Sequence, residues 1–291
     1  MNDPSIWVTY LKNTVSMQAH DDSIQDSFPP VFVINLERNT DRRISIEAQL
    51  TQAGLGFEIR AATDGARLAP SDLALYDEDY VFDHISRTLS PSEIGCYLSH
   101  QKIWQRIVDD KIPWAVVLED DVLIQAGLTD IFAQIGKLPF KWDLIRLAGL
   151  LPTPHVHVSR LTGDFRLTAP LQGASGTQAY CISRRGAQKL LAFSTMIRGT
   201  VDDSVIDNCW KTGLRILAVH PYPITEDKAH VSNIQEERKK IFQTDRDSRD
   251  DVKGGSIREN LIRRRYKLNK SLGKRAYYLV HLFLAIRLRL G

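Results

Sequence analysis

From residue 31 onward this chain alternates short apolar runs with stretches of helical periodicity, and that alternation restricts the fold more than any other feature. VFVINL (31–36), FEIRAA (57–62), WAVVLEDD (114–121), WDLIRL (142–147), TQAYCIS (177–183) and LRILAVH (214–220) have the length of strands. Runs as continuously apolar as the first and third suit strands buried on both faces, which need helices above and below. The segments between supply them. Asn39 or Thr40 can cap a helix that Gly54 ends, and Ser90-Pro91-Ser92-Glu93 forms a capping box with proline at the first helical position. The second of these helices carries Ile94, Leu98, Trp104 and Val108 and is predicted to run to about Asp110. RRGAQKLL and Asp202–Trp210 read as later helices, whereas 63–89 reads as loop and 150–175 as loops with short strands. The predicted fold class is α/β, a mostly parallel Rossmann-type sheet with flanking helices.

Three stretches follow from composition. Residues 1–28 read as an N-terminal extension, 29–250 as one α/β domain and 251–291 as a basic, amphipathic, helical tail. From Lys253 to Gly291 there are eleven Lys and Arg against one acid, Glu259, a net +10. The whole chain carries only +3, so the rest is left at −7. A hydrophobic content of 43% with 25% charged residues excludes wholesale disorder. Cys96, Cys181 and Cys209 are odd in number and widely spaced, which argues against a disulfide framework or zinc knuckle and for a reducing compartment. The opening MNDPSIWVTYLKNT is expected not to act as a secretory signal, and no run of 18 apolar residues could cross a bilayer.

In open α/β sheets ligands bind beyond the carboxyl ends of the strands. That rule directs attention to Glu119-Asp120-Asp121 after WAVVL. Three adjacent acids repel unless cations or donors offset them, and oxygen donors at a strand end suit Mg²⁺ or Mn²⁺. A solvated acidic turn is the plainer alternative. Asn35, Arg38 and Arg42 put amide and guanidinium donors beside the first strand end, where they suit phosphate or a base edge, or else form a solvated helix start. Glu93 is explained as a cap. Ser99 and His100 lie six and seven residues further along, about two turns, and share its face. Asp202, Asp203 and Asp207 form a second acidic cluster, from which one carboxylate could act as general base or simply cap a helix. Glu226, Asp227 and His230 are further donors after the last strand, and Gly173, Gly176 and Thr177 suggest close backbone approach.

Taken in order, VINLERNTDRR, SEIGCYLSHQKIW, VVLEDD, GTQAYCISRRGAQKL, VDDSVID and PITED…SNI resemble glycosyltransferase family 25 over about residues 30–235. That family includes bacterial lipooligosaccharide galactosyltransferases and animal collagen galactosyltransferases. The resemblance implies a GT-A-like fold for 29–250, a UDP-sugar donor, a divalent metal (Mn²⁺ or Mg²⁺) and inversion at the anomeric carbon. It also implies site residues: Glu119, Asp120 and Asp121 for the metal, and Asp202 and Asp203 as the pair that supplies the base. Asn35, Arg38, Arg42, Glu93, Ser99, His100 and Asp120 fall on the nucleotide-sugar side. Ser92 stands where members often have glycine, and the acidic motif reads E-D-D rather than D-x-D.

The function expected from all this is an inverting hexosyltransferase of the β-1,4-galactosyltransferase type. It would move galactose from UDP-galactose onto a lipooligosaccharide or lipopolysaccharide core sugar. Its partners would be a UDP-hexose, a lipid-linked oligosaccharide acceptor and an anionic membrane surface, with no nucleic acid. The expected location is the bacterial cytoplasm, at the inner face of the inner membrane. Two rivals are another metal-dependent α/β phosphotransferase and an inactive sugar-nucleotide-binding protein. In the tail, Ala276–Ile286 is too short to span a bilayer but long enough for a helix lying in its surface, with Tyr277, Tyr278 and Phe283 at headgroup depth.

Overall fold

The computed structural model describes residues 28–229 except 86, together with 234, 237, 238 and seven positions between 275 and 288. The extension at 1–27, most of the tail and His230 lie outside the described residues.

An eight-stranded sheet organises the chain, in the order β2-β1-β3-β8-β5-β9-β7-β6. Its strands are β1 (Val31–Asn35), β2 (Glu58–Ala61), β3 (Trp114–Glu119), β5 (Leu144–Arg146), β6 (His155–Arg160), β7 (Arg166–Pro170), β8 (Ala179–Ser183) and β9 (Ile216–His220). A separate antiparallel pair joins β4 (Val122–Ile124) to β10 (Ile224–Glu226). The helices are α1 (Thr40–Gln52), α2 (Pro70–Leu73), α3 (Glu78–Ile85), α4 (Pro91–Asp109), α5 (Leu128–Gly136), α6 (Arg184–Phe193) and α7 (Cys209–Thr212).

Every strand read from an apolar run is present, and two apolar layers sandwich the sheet as the continuous runs require. Alternation along β1 and β3 sets the layers apart. Phe32, Ile34, Ala115 and Val117 face α4 and α6, meeting Tyr97, Leu98, Trp104, Ile107 and Leu190. Val31, Val33, Trp114, Val116 and Leu118 face α1 and α5, meeting Ile46, Leu50, Ile131, Phe132 and Ile135. In α4 the capping box forms as its sequence dictates: Ser90 Oγ accepts from the Glu93 amide (3.2 Å) and a Glu93 carboxylate oxygen accepts from the Ser90 amide (2.8 Å).

The large central sheet is mostly parallel over its core, but the reading needs one correction. β2, β1 and β3 run parallel, as do β5 and β9, while β8 lies antiparallel between β3 and β5. Only the β6–β7 hairpin lies between β5 and β8 in the chain, with no helix. A parallel neighbour would need a crossover of a dozen or more residues, usually helical, so β8 enters from the opposite end. A second correction concerns 202–210. Val201–Ile206 forms a π-helical turn in which the Asp207 amide bonds the Asp202 carbonyl (2.7 Å). Ser204 Oγ donates to the Thr200 carbonyl, and such a bond competes with the regular ladder and bends it.

Candidate active site

The pleat of β3 decides where its terminal acids point. Glu119 shares parity with Ala115 and Val117, so its carboxylate faces α4; Asp120 shares parity with Val116 and Leu118 and faces α1. The three acids are therefore divided between two sides of the strand. Glu119 Oε1 accepts from Thr177 Oγ1 (2.5 Å) and lies 3.4 Å from His100 Nε2. Asp120 accepts from buried Asn35 Nδ2 (2.7 Å) and from Arg42 (3.3 Å), and Arg42 also donates to Asp121 (3.1 Å).

Asp121 is the most strained of these groups electrostatically. Burial pushes its carboxyl up to about 7, Glu119, Asp120 and Glu226 push in the same direction, and Arg42 opposes them. Its Oδ1 is buried without a hydrogen-bond partner, an orphan of the kind a cation satisfies. Glu226 reaches this neighbourhood because β10 pairs with β4, where Glu226 lies opposite Val122, and the Asp227 amide bonds the Asp121 carbonyl (2.8 Å). The sequence reading gave Glu226 and Asp227 as further donors in a loop after the last strand, whereas Glu226 ends a short strand of its own.

Elsewhere on the nucleotide side the predicted residues separate into two sets. Arg38 is half-exposed and pairs with Asp64, whose carboxyl is lowered chiefly by that bond. Ser99 Oγ accepts from the Thr63 amide (2.8 Å) and donates to the Gly95 carbonyl (2.7 Å), which fastens the loop after β2 to α4. Burial raises the Glu93 carboxyl, but Arg87, the Ser90 amide and Arg238 outweigh burial and hold it below the usual carboxylate range. Both of its oxygens are engaged in a cluster at the helix start, in keeping with the capping role read from the sequence. A pocket of about 290 Å³ lies against Ser99, lined also by Ile34, Arg60 and Lys102.

The late acids gather around one loop. Asp202 accepts from the Gly176 amide (2.8 Å), and Asp207 pairs with buried Arg146 and accepts from the Ser175 amide (3.1 Å). Asp203 is exposed, with Ser175 Oγ 3.4 Å from its Oδ1. Burial pushes Asp202 up, but the amides of Gly176 and Asp203 and the Thr200 hydroxyl bring it below the ordinary value. In Asp207, burial outweighs Arg146 and the carboxyl rises. Ser175 and Gly176 both adopt positive φ, 52° and 80°, which turns their amides toward these carboxylates. Consecutive residues thereby bridge the two acidic groups: Gly176 bonds Asp202 and Thr177 bonds Glu119.

Sequence reasoning missed Arg146, which also donates to the Gly176 carbonyl (2.8 Å) and so fixes this loop from beneath. One signal was available, since an arginine inside a buried strand has to have a carboxylate partner. Chemically, the arrangement offers buried oxygen donors for a hard cation, arginines nearby, and an exposed carboxylate on the far side of a short loop.

The chain is similar to known proteins over most of the described region. The model described as glycosyltransferase family 25 (LPS biosynthesis protein) matches residues 28–205. Procollagen galactosyltransferase 1 of Danio rerio is 31% identical over 206 residues, 65% of this chain and 31% of that one. Procollagen galactosyltransferase 2 of Mus musculus is 31% identical, covering 56% and 27%. The human inactive glycosyltransferase 25 family member 3 is 32% identical, covering 59% and 30%. The chain spans about a third of the length of the curated relatives it matches. The solved structure of A197 from STIV aligns with a TM-score of 0.32 at 10% identity, over 70% of this chain and 97% of that one, a likeness too slight to bear on function.

Proposed function

Since the chain belongs to glycosyltransferase family 25, we propose that it is an inverting hexosyltransferase with a GT-A-like fold. In this reading it transfers galactose from UDP-galactose to a sugar hydroxyl of a lipooligosaccharide core. The galactose donor is supported by the names of the procollagen galactosyltransferase relatives, and the acceptor class by the description of the family model. The observation that carries the reading is the bridge of Gly176 and Thr177, which ties Glu119 at the end of β3 to Asp202, the neighbour of Asp203.

Asp120 and Asp121 would hold a divalent cation, and the orphaned Asp121 oxygen fits that role. Such an ion supplies charge neutralisation for the diphosphate leaving group. Asn35 orients Asp120, and Arg42 spans both carboxylates until substrate draws it to phosphate. The nucleoside occupies the pocket beside Ser99, Arg60 and Lys102. Asp203 takes the proton from the acceptor hydroxyl while Asp202, held ionised by its donors, keeps the turn in place. Some relatives bear the name inactive, so activity is the first test: UDP release from UDP-galactose with lipooligosaccharide acceptor and Mn²⁺, against acceptor-free controls. Absence of acceptor-dependent release with any hexose donor overturns the proposal.

A pH effect follows from Asp121. Its carboxyl lies at about 7, so below that pH a cation has to displace a proton. Apparent Mn²⁺ affinity, measured calorimetrically, is expected to be roughly tenfold tighter at pH 8 than at pH 6. A flat profile would remove Asp121 from the ion's ligands.

The proposal extends to location. Described positions Arg275, Tyr278, Leu279, Leu282, Phe283, Ile286 and Leu288 are helical. At 100° per residue, Tyr278, Leu279, Phe283 and Ile286 fall on one face, and all four are exposed, whereas Leu288 packs against the core layer of α1 and α5. An outward apolar stripe within a net +10 segment suits an anionic bilayer surface, where each basic residue contributes about 1 kcal/mol. Among the described residues no helix is long and apolar enough to cross a membrane. Removing residues 257–291 is expected to abolish co-sedimentation with anionic vesicles at low salt. Equal partitioning of both forms would end the anchoring idea.

A further inference from the structure

Cys96, His100 and Glu119 converge on one point through which the proposed transfer routes no chemical step. Cys96 and His100 are four residues apart on α4 and share its sheet-facing side. The parity of β3 turns Glu119 toward them. A sulfur, a ring nitrogen and a carboxylate oxygen, one from each residue, all lie within 4.8 Å of one another. Among the described residues no other group of three or more His, Cys, Asp or Glu comes together so closely.

The surroundings resemble those of a transition-metal site. His100 is fully buried, with Nδ1 2.9 Å from the Tyr180 hydroxyl, and Trp104 Nε1 donates to the same hydroxyl (2.9 Å). A partner of this kind orients the ring and can accept from a protonated Nδ1, which leaves Nε2 for an ion. His100 Nε2 and Glu119 Oε1 stand 3.4 Å apart. That is the separation of two ligands on a tetrahedral ion with bonds of about 2.0–2.2 Å.

We propose that Cys96, His100 and Glu119 form a binding site for a borderline-soft divalent cation of the zinc class, distinct from the hard-ion position at Asp120 and Asp121. Thiolate and imidazole favour zinc over magnesium or manganese, and three protein ligands leave a fourth position open. On binding, the Cys96 thiol releases its proton to solvent and its sulfur donates an electron pair to the ion. The neutral His100 ring keeps its proton on Nδ1, facing Tyr180, and donates from Nε2. One proton is released per ion. Occupancy draws Glu119 from the Thr177 hydroxyl and so loosens one of the two bonds that bridge the acidic groups. The site does not depend on the chain being an active transferase.

Cobalt serves as the probe, because a thiolate ligand gives Co²⁺ an intense near-ultraviolet charge-transfer band. The full chain, stripped with chelator and titrated with Co²⁺, is expected to show this band at one ion per chain, and Zn²⁺ should displace it. At pH 8, where Asp121 is mostly ionised, calorimetry in buffers of different ionisation enthalpy should report one proton released per ion. Cys96→Ser should lose the band, Glu119→Gln should keep it with binding at least about tenfold weaker, and Asp121→Ala should leave both unchanged. Where Cys96→Ser fails to fold by circular dichroism, Glu119→Gln and Asp121→Ala decide. No band in the native chain, a band that survives in Cys96→Ser, unchanged affinity in Glu119→Gln, or loss of the band in Asp121→Ala each overturns the proposal.

Discussion

Asp121→Ala is expected to lower turnover by about 10³-fold or more while leaving the melting temperature at pH 8 unchanged or higher. The loss follows from the role proposed for the carboxylate: an ion on the leaving group is worth several kcal/mol of transition-state stabilisation, and each 1.4 kcal/mol is tenfold in rate. The stability side follows from the raised carboxyl. A group whose folded-state value is about 7, against an ordinary 3.8, binds more protons folded than unfolded between those values. Stability therefore falls as pH rises through that window, and above it the native chain carries the whole cost of an ionised, crowded acid. Removing the acid removes the cost, and position 121 lies at a strand end outside both apolar layers. Sugar transfer and calorimetric melting, measured on the same preparation, check both halves. Full activity in the variant, or a melting point several degrees lower, would show that Asp121 is a structural acid.

The second large effect belongs to Asp203→Asn. The exposed carboxylate is expected to act on the acceptor proton, a contribution of about 10²–10⁴-fold, so kcat should fall by that factor while donor affinity changes little. Asp202→Asn is the matched control. It disturbs the bond from the Gly176 amide and, with it, the loop that bridges the acids, so its signature is a rise in KM accompanied by a lower melting temperature. A pattern with the two variants exchanged reverses the roles. If neither variant slows transfer, the base lies outside this turn, with Asp227 the next candidate because its amide already binds the Asp121 carbonyl.

Much of this was readable in the residues, and the gaps have physical causes. The strands announced themselves because burial on both faces forces continuous apolar runs, and the α4 start did so because a capping box is local. Strand direction is not local. The reversal of β8 depends on the absence of a crossover helix after β5, which periodicity within a strand does not encode. The acidic triplet was visible as a cluster, yet its division was not read, although the alternation that places Trp114, Val116 and Leu118 on one face already sends Asp120 there and Glu119 to the other. Glu93 illustrates the limit from another side. Its cap partner lies three residues away and was foreseen, whereas Arg238 lies 145 residues away and was not. The π-helical turn at Val201–Ile206 escaped because nothing in its residue types marks the shift to the Asp207–Asp202 bond five residues back.

Two glycines give the molecule an uneven division of labour. A Cβ at Gly65 would lie 2.4 Å from the Pro91 carbonyl, and one at Gly95 would lie 2.5 Å from the Thr63 carbonyl oxygen. Loop and helix touch backbone to backbone there, with no side chain between them to yield, so they move as one body. The stretch that carries Asp64, Ser99 and His100 is accordingly built like a vice. The β6–β7 hairpin, by contrast, lies at the far edge of the sheet, held there by the pairing of β7 with β9. Insertions and substitutions in that hairpin leave the vice untouched.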